Sequence, residues 1–511
     1  MKKLHVNQLG YRTDDMKHAV VSEEYSTFEV KREDNGATVY RGNCTLAAYD
    51  AASEENVRIA DFSGVMETGS YVLSAGTENS YPFFIGHNPY NGLREALLEM
   101  FNYQKCGVAI DAGKWSHPPC HTLPATIYGT NEKKDVSGGW HDAGDYGRYI
   151  VPAAMTVADL LLAYELSAEP EPKILDVTWF EIEWMLKMQC EKTGGVYHKV
   201  SCHNFNALDE HPHDEKGELI ISPISLTATA DFAATMALAS RFYPSKKITL
   251  LEAAKRAWSW CEANLSAPGF VNPPDITTGQ YGDTVSKDEI FWAACELFSA
   301  TGDKKYQEVI EQSKTYTGLG WANMGTYGIA AYLSLAKRSE LANKSEVASM
   351  KASLLLVCEG ILKKHRKEPY GTSLGTSYRW GSNLDVANNA MTLLLYHHLA
   401  EETPQYATAA MEHMHYILGR NPLSQSYITG FGSLAPKHPH HRPSVAVGEA
   451  YPGMVVGGPN STTPRDKVLQ SHCEGKPPAK FYIDHKDSFA SNEIAIYWNS
   501  SVYFVASVLG M

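Results

Sequence analysis

Two stretches of this 511-residue chain gather carboxyl groups where they could do acid–base work. Near the C-terminus stand Tyr482-Ile483-Asp484, then Phe489, then Asn492-Glu493; far upstream, Gly139-Trp140-His141-Asp142-Ala143-Gly144-Asp145 sets two more carboxylates in an apolar, glycine-rich frame. Acids from both ends of a long chain can face each other across one cleft. Splitting a glycosidic bond needs that arrangement: one carboxyl group protonates the leaving oxygen, and a carboxylate on the opposite side activates water or attacks the sugar carbon. Asp142 and Asp145 can converge on a single water, because the small Ala143 and Gly144 let the backbone turn tightly. Taken alone, Asp-x-x-Asp serves a helix cap or a calcium ion equally well, and Glu493 beside Asn492 reads as an ordinary helix-start glutamate.

The elements that must position these groups change character along the chain. From Val6 to about Ile85 the pattern is short β-rich runs, such as Ala19-Val20-Val21, Phe28-Glu29-Val30 and Ser70-Tyr71-Val72-Leu73, broken by turn signals like Asp34-Asn35-Gly36, which predicts a small β-sandwich over 1–86. After His87-Asn88-Pro89 the period becomes helical: Leu93, Ala96, Leu97, Met100 and Phe101 recur on one face, with Asn88 as the expected cap and Pro89 as the first helical residue. Further helices are predicted near 151–165, 175–189, 225–242, 250–264, 287–300, 306–316, 327–337, 345–364, 385–400, 406–418 and 492–509. The domain over 87–511 is thus all-α, and periodicity alone permits a barrel or a solenoid. The Gly- and Pro-rich segments 106–140, 194–223 and 421–484 are too long for tight connections and are expected to build the cleft.

Both carboxylate stretches resemble glycoside hydrolase family 9, the inverting cellulases. Tyr482-x-Asp484-x4-Phe489-x3-Glu493-x-Ala495-x3-Asn499-Ser500 fits that family's C-terminal active-site pattern at every specified position. A second family pattern is similar to Ser426-Tyr427-Ile428-Thr429-Gly430-Phe431-Gly432 followed by Pro439-His440-His441-Arg442, except that Leu434 stands where the family has Asn, Lys or Arg. The opening Val6-Asn7-Gln8-Leu9-Gly10-Tyr11 resembles members with an immunoglobulin-like module ahead of the catalytic domain. The resemblance implies an immunoglobulin-like sandwich followed by an (α/α)6 barrel, with Asp145 as the base, Asp142 helping to hold the attacking water, Glu493 as the general acid, and His440 and Arg442 as sugar contacts near the scissile bond. His438 and His441 are read as surface histidines. Tyr378, Trp380 and Trp498 are candidate stacking platforms that could equally be core. A separation of about 6.5–9.5 Å between acid and base would invert the anomeric configuration.

Cys106-x13-Cys120-His121-x19-His141 supplies two thiolates and two imidazoles, which can close a tetrahedral zinc shell. The same ligand order occurs in family members with the immunoglobulin-like module, so the resemblance implies a structural zinc pinning the loop that carries Asp142. Asp283 and Asp288, at the start of a predicted helix, suit calcium, which family members bind near such a segment; the helix dipole alone also favours acids there. The expected substrate is a cellulose-like or mixed-linkage β-1,4-glucan cut internally, with exo action on cello-oligosaccharides or glucosamine oligomers as the alternative. A catalytic zinc hydrolase is disfavoured because four protein ligands leave no position for water.

The bulk numbers agree. A net charge of −13 repels nucleic-acid phosphates, and no apolar run reaches the roughly 18 residues of a membrane helix, so neither nucleic acid nor membrane is expected as a partner. Ten tryptophans and 29 tyrosines suit sugar faces, although most such rings belong to cores. Met1-Lys2-Lys3 has no apolar run behind it, and nine scattered cysteines look like reduced thiols rather than a disulfide framework. The expected location is the cytoplasm, or outside the cell if a leader has been removed.

Overall fold

The computed structural model describes residues 2–511. Ten strands fill the N-terminal region: β1 Leu4–His5, β2 Gly10–Arg12, β3 His18–Ser22, β4 Thr27–Arg32, β5 Thr38–Asn43, β6 Ala48–Asp50, β7 Glu55–Asp61, β8 Gly69–Ala75, β9 Glu78–Asn79 and β10 Phe83–Gly86. They form two sheets, ordered β1-β3-β7-β6 and β2-β10-β8-β4-β5, with β9 paired to β8. Between the sheets lie Leu4, Val21, Val30, Leu73 and Ile85, with Tyr11, Phe62, Tyr71 and Phe83 as the large rings. Period-2 alternation sends these side chains to one face of each strand.

Helices follow: α1 Leu93–Tyr103, α2 Ile150–Leu166, α3 Lys173–Lys187, α4 Leu226–Ala239, α5 Lys247–Ala263, α6 Lys287–Thr301, α7 Lys304–Gln312, α8 Gly325–Arg338, α9 Lys344–His365, α10 Ser382–Leu399, α11 Pro404–Ile417, α12 Arg442–Val447, α13 Lys467–Cys473, α14 Phe489–Asn492 and α15 Ile496–Val508. Two details differ from expectation. Helix α1 begins at Leu93, after a turn through 87–92, rather than at Pro89. The last predicted helix is two pieces: the chain runs extended through Glu493, at φ −69° and ψ 158°, so this glutamate does not start a helix. No helix among the described residues is long and apolar enough to cross a membrane.

The chain forms two compact units: Met1–Met100 with Glu359–Leu393 and Pro404–Met511, and Phe101–Cys358 with Leu394–Thr403. The sandwich therefore shares its unit with C-terminal helices. The opening motif ties them together, since Gln8 N–H donates to the Leu418 carbonyl at 2.9 Å, Gln8 Nε2 to the Ser424 carbonyl at 2.6 Å, and Asn7 Nδ2 meets His415 Nδ1 at 2.9 Å.

In the second unit α4 and α6 pack on each other and on α2 and α8. All fourteen residues of α4 are buried, as are fourteen of α2, whereas α7 buries only Tyr306 and Ile310. Helices without a polar face must be surrounded by protein, and amphipathic ones cover them. A five-stranded sheet that hydrophobic period did not foretell, because its strands are two or three residues long, joins β12 Lys133–Lys134, β11 Ala125–Ile127, β15 Ile220–Ile221, β14 Lys199–Ser201 and β13 Arg148–Tyr149 in that order. It ties the long stretch after α1, which carries the upstream carboxylates and the Cys/His set, to the loop between α3 and α4.

Candidate active site

In the second unit, the end of α1 lies beside residues 139–143. Cys106 N–H donates to the Gly139 carbonyl at 2.8 Å, His141 N–H to the Gln104 carbonyl at 2.8 Å, and Gln104 Nε2 to the carbonyls of His141 and Ala143 at 3.0 and 3.2 Å. Gly139 sits at φ +76°, and a Cβ there would lie 2.6 Å from the Trp184 ring, so both backbone and packing demand glycine. Glu181, buried on α3, accepts the Trp140 N–H at 2.7 Å, and Arg148 donates to the Val136 and Gly138 carbonyls at 2.7 Å.

These bonds present Asp142 and Asp145 in different states. Asp145 Oδ2 accepts from Gly147 N–H and Tyr149 OH, both at 3.1 Å. Asp142 Oδ2 accepts the Tyr281 hydroxyl at 2.5 Å, while its buried Oδ1 meets no protein donor. Burial pushes the Asp142 carboxyl well above the usual carboxylate range; the Tyr281 bond opposes this and the charge of Asp145 adds to it. Tyr149 and Tyr281 went unforeseen. Tyr149 follows Asp145 by four residues in sequence, but Tyr281 lies in a distant loop whose sequence gives no sign of its role.

In the first unit, Asp484 organises the loop ahead of α12. Its carboxylate accepts Lys437 N–H at 2.8 Å, His438 N–H at 2.9 Å and Asn492 Nδ2 at 3.0 Å. Tyr482 OH donates to Asn492 Oδ1 at 2.7 Å. The next residue, half-buried Glu493, pairs along the backbone with His440, and its carbonyl accepts Gly457 N–H at 2.9 Å. The two C-terminal motifs thus meet through the main chain. His440 Nδ1 donates to the Lys486 carbonyl at 2.6 Å, and Arg442 opens α12 in a buried position.

The aromatic candidates divide. Trp380 is half-buried against Phe489, with the Arg465 guanidinium 5.3 Å above its ring. Tyr378 and Trp498 are 2% and 3% exposed and are core rings rather than stacking platforms. Gly381 and Gly457 close over Trp498, where an added Cβ at either would lie 3.1 Å from the indole. His441 is also buried, bonded through Nδ1 to Ser444 Oγ at 2.7 Å, and is not the surface histidine expected.

The ligand atoms of Cys106, Cys120, His121 and His141 all lie within 4.8 Å of one another. Sulfur–sulfur separation is 3.9 Å, the two measured sulfur–nitrogen separations are 3.5 and 3.8 Å, and the nitrogens of His121 and His141 are 3.4 Å apart. A tetrahedron with about 2.3 Å metal–sulfur and about 2.05 Å metal–nitrogen bonds has edges of about 3.8, 3.5 and 3.3 Å. The donor set fits a four-coordinate metal. Glu215 meets His121 Nε2 at 2.8 Å, which turns Nδ1 towards the thiols.

In the acidic segment at α6, Asp283 and Asp288 each have one oxygen bonded to a backbone N–H. Asp288 Oδ2 is taken by Met324 N–H at 2.9 Å and Asp283 Oδ1 by Val285 N–H at 2.8 Å. The buried oxygens without donors are Asp283 Oδ2 and both oxygens of Glu289 and of Asp231 on α4. Burial, reinforced by their mutual charges, pushes Asp231 well above the usual range and Glu289 up to about 11. Such a group suits a hard cation.

Residues 90–506 match glycosyl hydrolase family 9 and residues 1–80 match the cellulase N-terminal ig-like domain. The match over nearly the whole chain defines a glycoside hydrolase. The chain belongs to glycosyl hydrolase family 9, the inverting β-1,4-glucan hydrolases, and has that family's fold, an immunoglobulin-like sandwich followed by an (α/α)6 barrel. It is 34% identical over 552 residues to a cellodextrinase of Butyrivibrio fibrisolvens, covering 99% of each chain. It is also 34% identical over 540 residues to endoglucanase D of Acetivibrio thermocellus, covering 98% of this chain and 82% of the relative. A solved structure of a single mutant of the thermostable endoglucanase from Alicyclobacillus acidocaldarius superposes with a TM-score of 0.93 at 37% identity, covering 100% of this chain and 99% of the other.

Proposed function

We propose that this enzyme cuts internal β-1,4-glucosidic bonds, with Asp145 as general base, Asp142 sharing the attacking water and Glu493 as general acid. The observation that carries this reading is the contrast at the upstream pair. Asp145 has two hydrogen-bond donors on one oxygen, while Asp142 keeps one buried oxygen without a protein partner beside it. That oxygen can hold one end of a water whose proton Asp145 removes. His440, fixed next to Glu493 by backbone pairing, and Arg442, two residues on, are suited to sugar hydroxyls. Proton NMR of the first-formed sugar tests the stereochemistry: an α-anomer is expected from a β-linked substrate, and a β-anomer would contradict the assignment.

The full-length similarity to a cellodextrinase favours a second reading, release of sugars from cello-oligosaccharides. A product-versus-time profile on β-glucan, carboxymethylcellulose, cello-oligosaccharides and chitosan oligomers separates the two. A spread of intermediate oligomers at early times marks internal cutting; accumulation of one or two short products marks exo action.

We further propose that Cys106, Cys120, His121 and His141 hold a structural zinc, whose closed shell leaves no position for a reacting water. Calcium would be held by Asp283 and Asp288, with Asp231 and Glu289 beside them. The zinc would fix the backbone immediately before Asp142, and the calcium would neutralise carboxylates at the head of α6. Metal analysis of the purified protein tests both.

A further inference from the structure

We propose that Lys199 is a positioning residue that holds Tyr149 and Tyr281 onto the aspartate pair; this rests on the reading of Asp145 and Asp142 given above. Lys199 lies on β14 and is completely buried. Its cross-strand partner in the antiparallel register is Tyr149 of β13, and its ammonium lies 5.4 Å from the Tyr149 ring centroid, a cation–π contact. Tyr149 is the residue whose hydroxyl reaches Asp145.

The same ammonium donates to the Gly279 carbonyl at 2.6 Å and to Thr278 Oγ1 at 3.0 Å, with the Thr278 carbonyl at 3.4 Å. Ser201, on the same face of β14, meets Thr278 Oγ1 at 2.8 Å. The 278–279 turn is therefore clamped to the strand, and two residues on Tyr281 takes φ +46° to aim its hydroxyl at Asp142. A non-glycine residue in that region is strained and persists only where its surroundings dictate it. The Tyr149 and Tyr281 rings lie 5.0 Å apart, and a Cβ added at Gly279 would sit 3.0 Å from the Tyr149 hydroxyl, so turn and tyrosines form one packed group.

Packing alone does not account for a lysine here, since a methionine would fill the volume without burying a charge. Burial pulls the Lys199 ammonium down to about 7, against the opposing attraction of Asp145. The strand thus carries a costly buried anchor whose contacts run to Tyr149 and to the 278–279 turn ahead of Tyr281.

The test is a mutant cycle on β-glucan between Lys199→Met and the paired change Tyr149→Phe, Tyr281→Phe. Lys199→Met is expected to lower kcat roughly 10- to 100-fold, the scale set by a misplacement of about 1 Å, with KM changed less than about twofold. In the Tyr149→Phe, Tyr281→Phe background it should cost less than about threefold, because both hydroxyls it acts through are already removed. Equal losses in both backgrounds, or an unchanged kcat, would overturn the proposal. Should Lys199→Met not fold, Thr278→Val removes one acceptor of the clamp and is expected to show the same non-additivity, with additivity again overturning it. Asp145→Asn distinguishes the two levels: full activity there removes the underlying assignment, whereas an inactive Asp145→Asn beside a fully active Lys199→Met removes only the role of Lys199.

Discussion

In the unit that contains the sandwich, the carboxylates of Glu412 and Asp484 are met by cationic or N–H donors; in the other unit several buried carboxylates keep an oxygen that no donor reaches. Arg420 pairs with Glu412, and although burial would raise that glutamate, the guanidinium holds it down at about 2. Asp484 is saturated by N–H donors, and His5, His413 and His415 are kept neutral by burial, at about 3. In the second unit burial pushes Asp142, Glu181, Asp231 and Glu289 upwards, and each keeps at least one buried oxygen without a donor. Protein partners make a buried charge structural, whereas an unspent acceptor points to something bound there, a water or a cation.

The largest test of the comparison is chemical. Asp145→Asn and Glu493→Gln are each expected to lower kcat on β-glucan by about 10²- to 10⁴-fold while the protein stays folded, because each removes a proton-transfer group rather than a packing element. Steady-state kinetics with circular dichroism on the same samples checks this. A variant with near-normal kcat would remove that residue from the mechanism.

Acid bears next on the buried histidines. The folded-state pKa values of His5, His413 and His415 lie near 3 against 6.5 in the unfolded chain, and Glu412 lies near 2 against 4.5. All four are depressed, so their stabilisation is complete above 6.5 for the histidines and 4.5 for the glutamate, and is lost as pH falls towards the folded values. The slope is on the order of 1 kcal/mol per pH unit for each titrating group. The melting temperature should fall steeply between pH 6.5 and 4, and His413→Gln should flatten that fall. An unchanged slope would show that His413 does not set it.

How much of this was legible beforehand follows from the range of each signal. The sandwich and the long helices announce themselves by period, and the carboxylate and Cys/His sets by spacing. Tyr281, Glu181, Asp231 and Lys199 act across 40 to more than 130 positions of sequence through single bonds or charges, which no local pattern encodes. Tyr378 and Trp498 misled because an aromatic type does not reveal which way its ring points.

Zinc affinity gives a smaller but selective test. Glu215 carries no metal-binding role of its own but fixes the orientation of His121, so Glu215→Ala should weaken zinc binding about 10- to 100-fold in competition with a chromophoric chelator. A Glu215→Ala protein that holds zinc as tightly as the parent would show that the four ligands alone set the affinity.

The smallest effect expected is calcium's. A cation at 100 times its dissociation constant adds about 2.7 kcal/mol to the folded state, which for a chain this long is a shift of only a few degrees in Tm. Chelation should lower Tm by that amount, added calcium should restore it, and Asp231→Asn should abolish the response by removing one of the five donorless oxygens together with the charge. If Asp231→Asn instead raises Tm and leaves the calcium response intact, the orphaned carboxylates of α4 and α6 are held as neutral acids, and the contrast between the units lies in protonation rather than in bound metal.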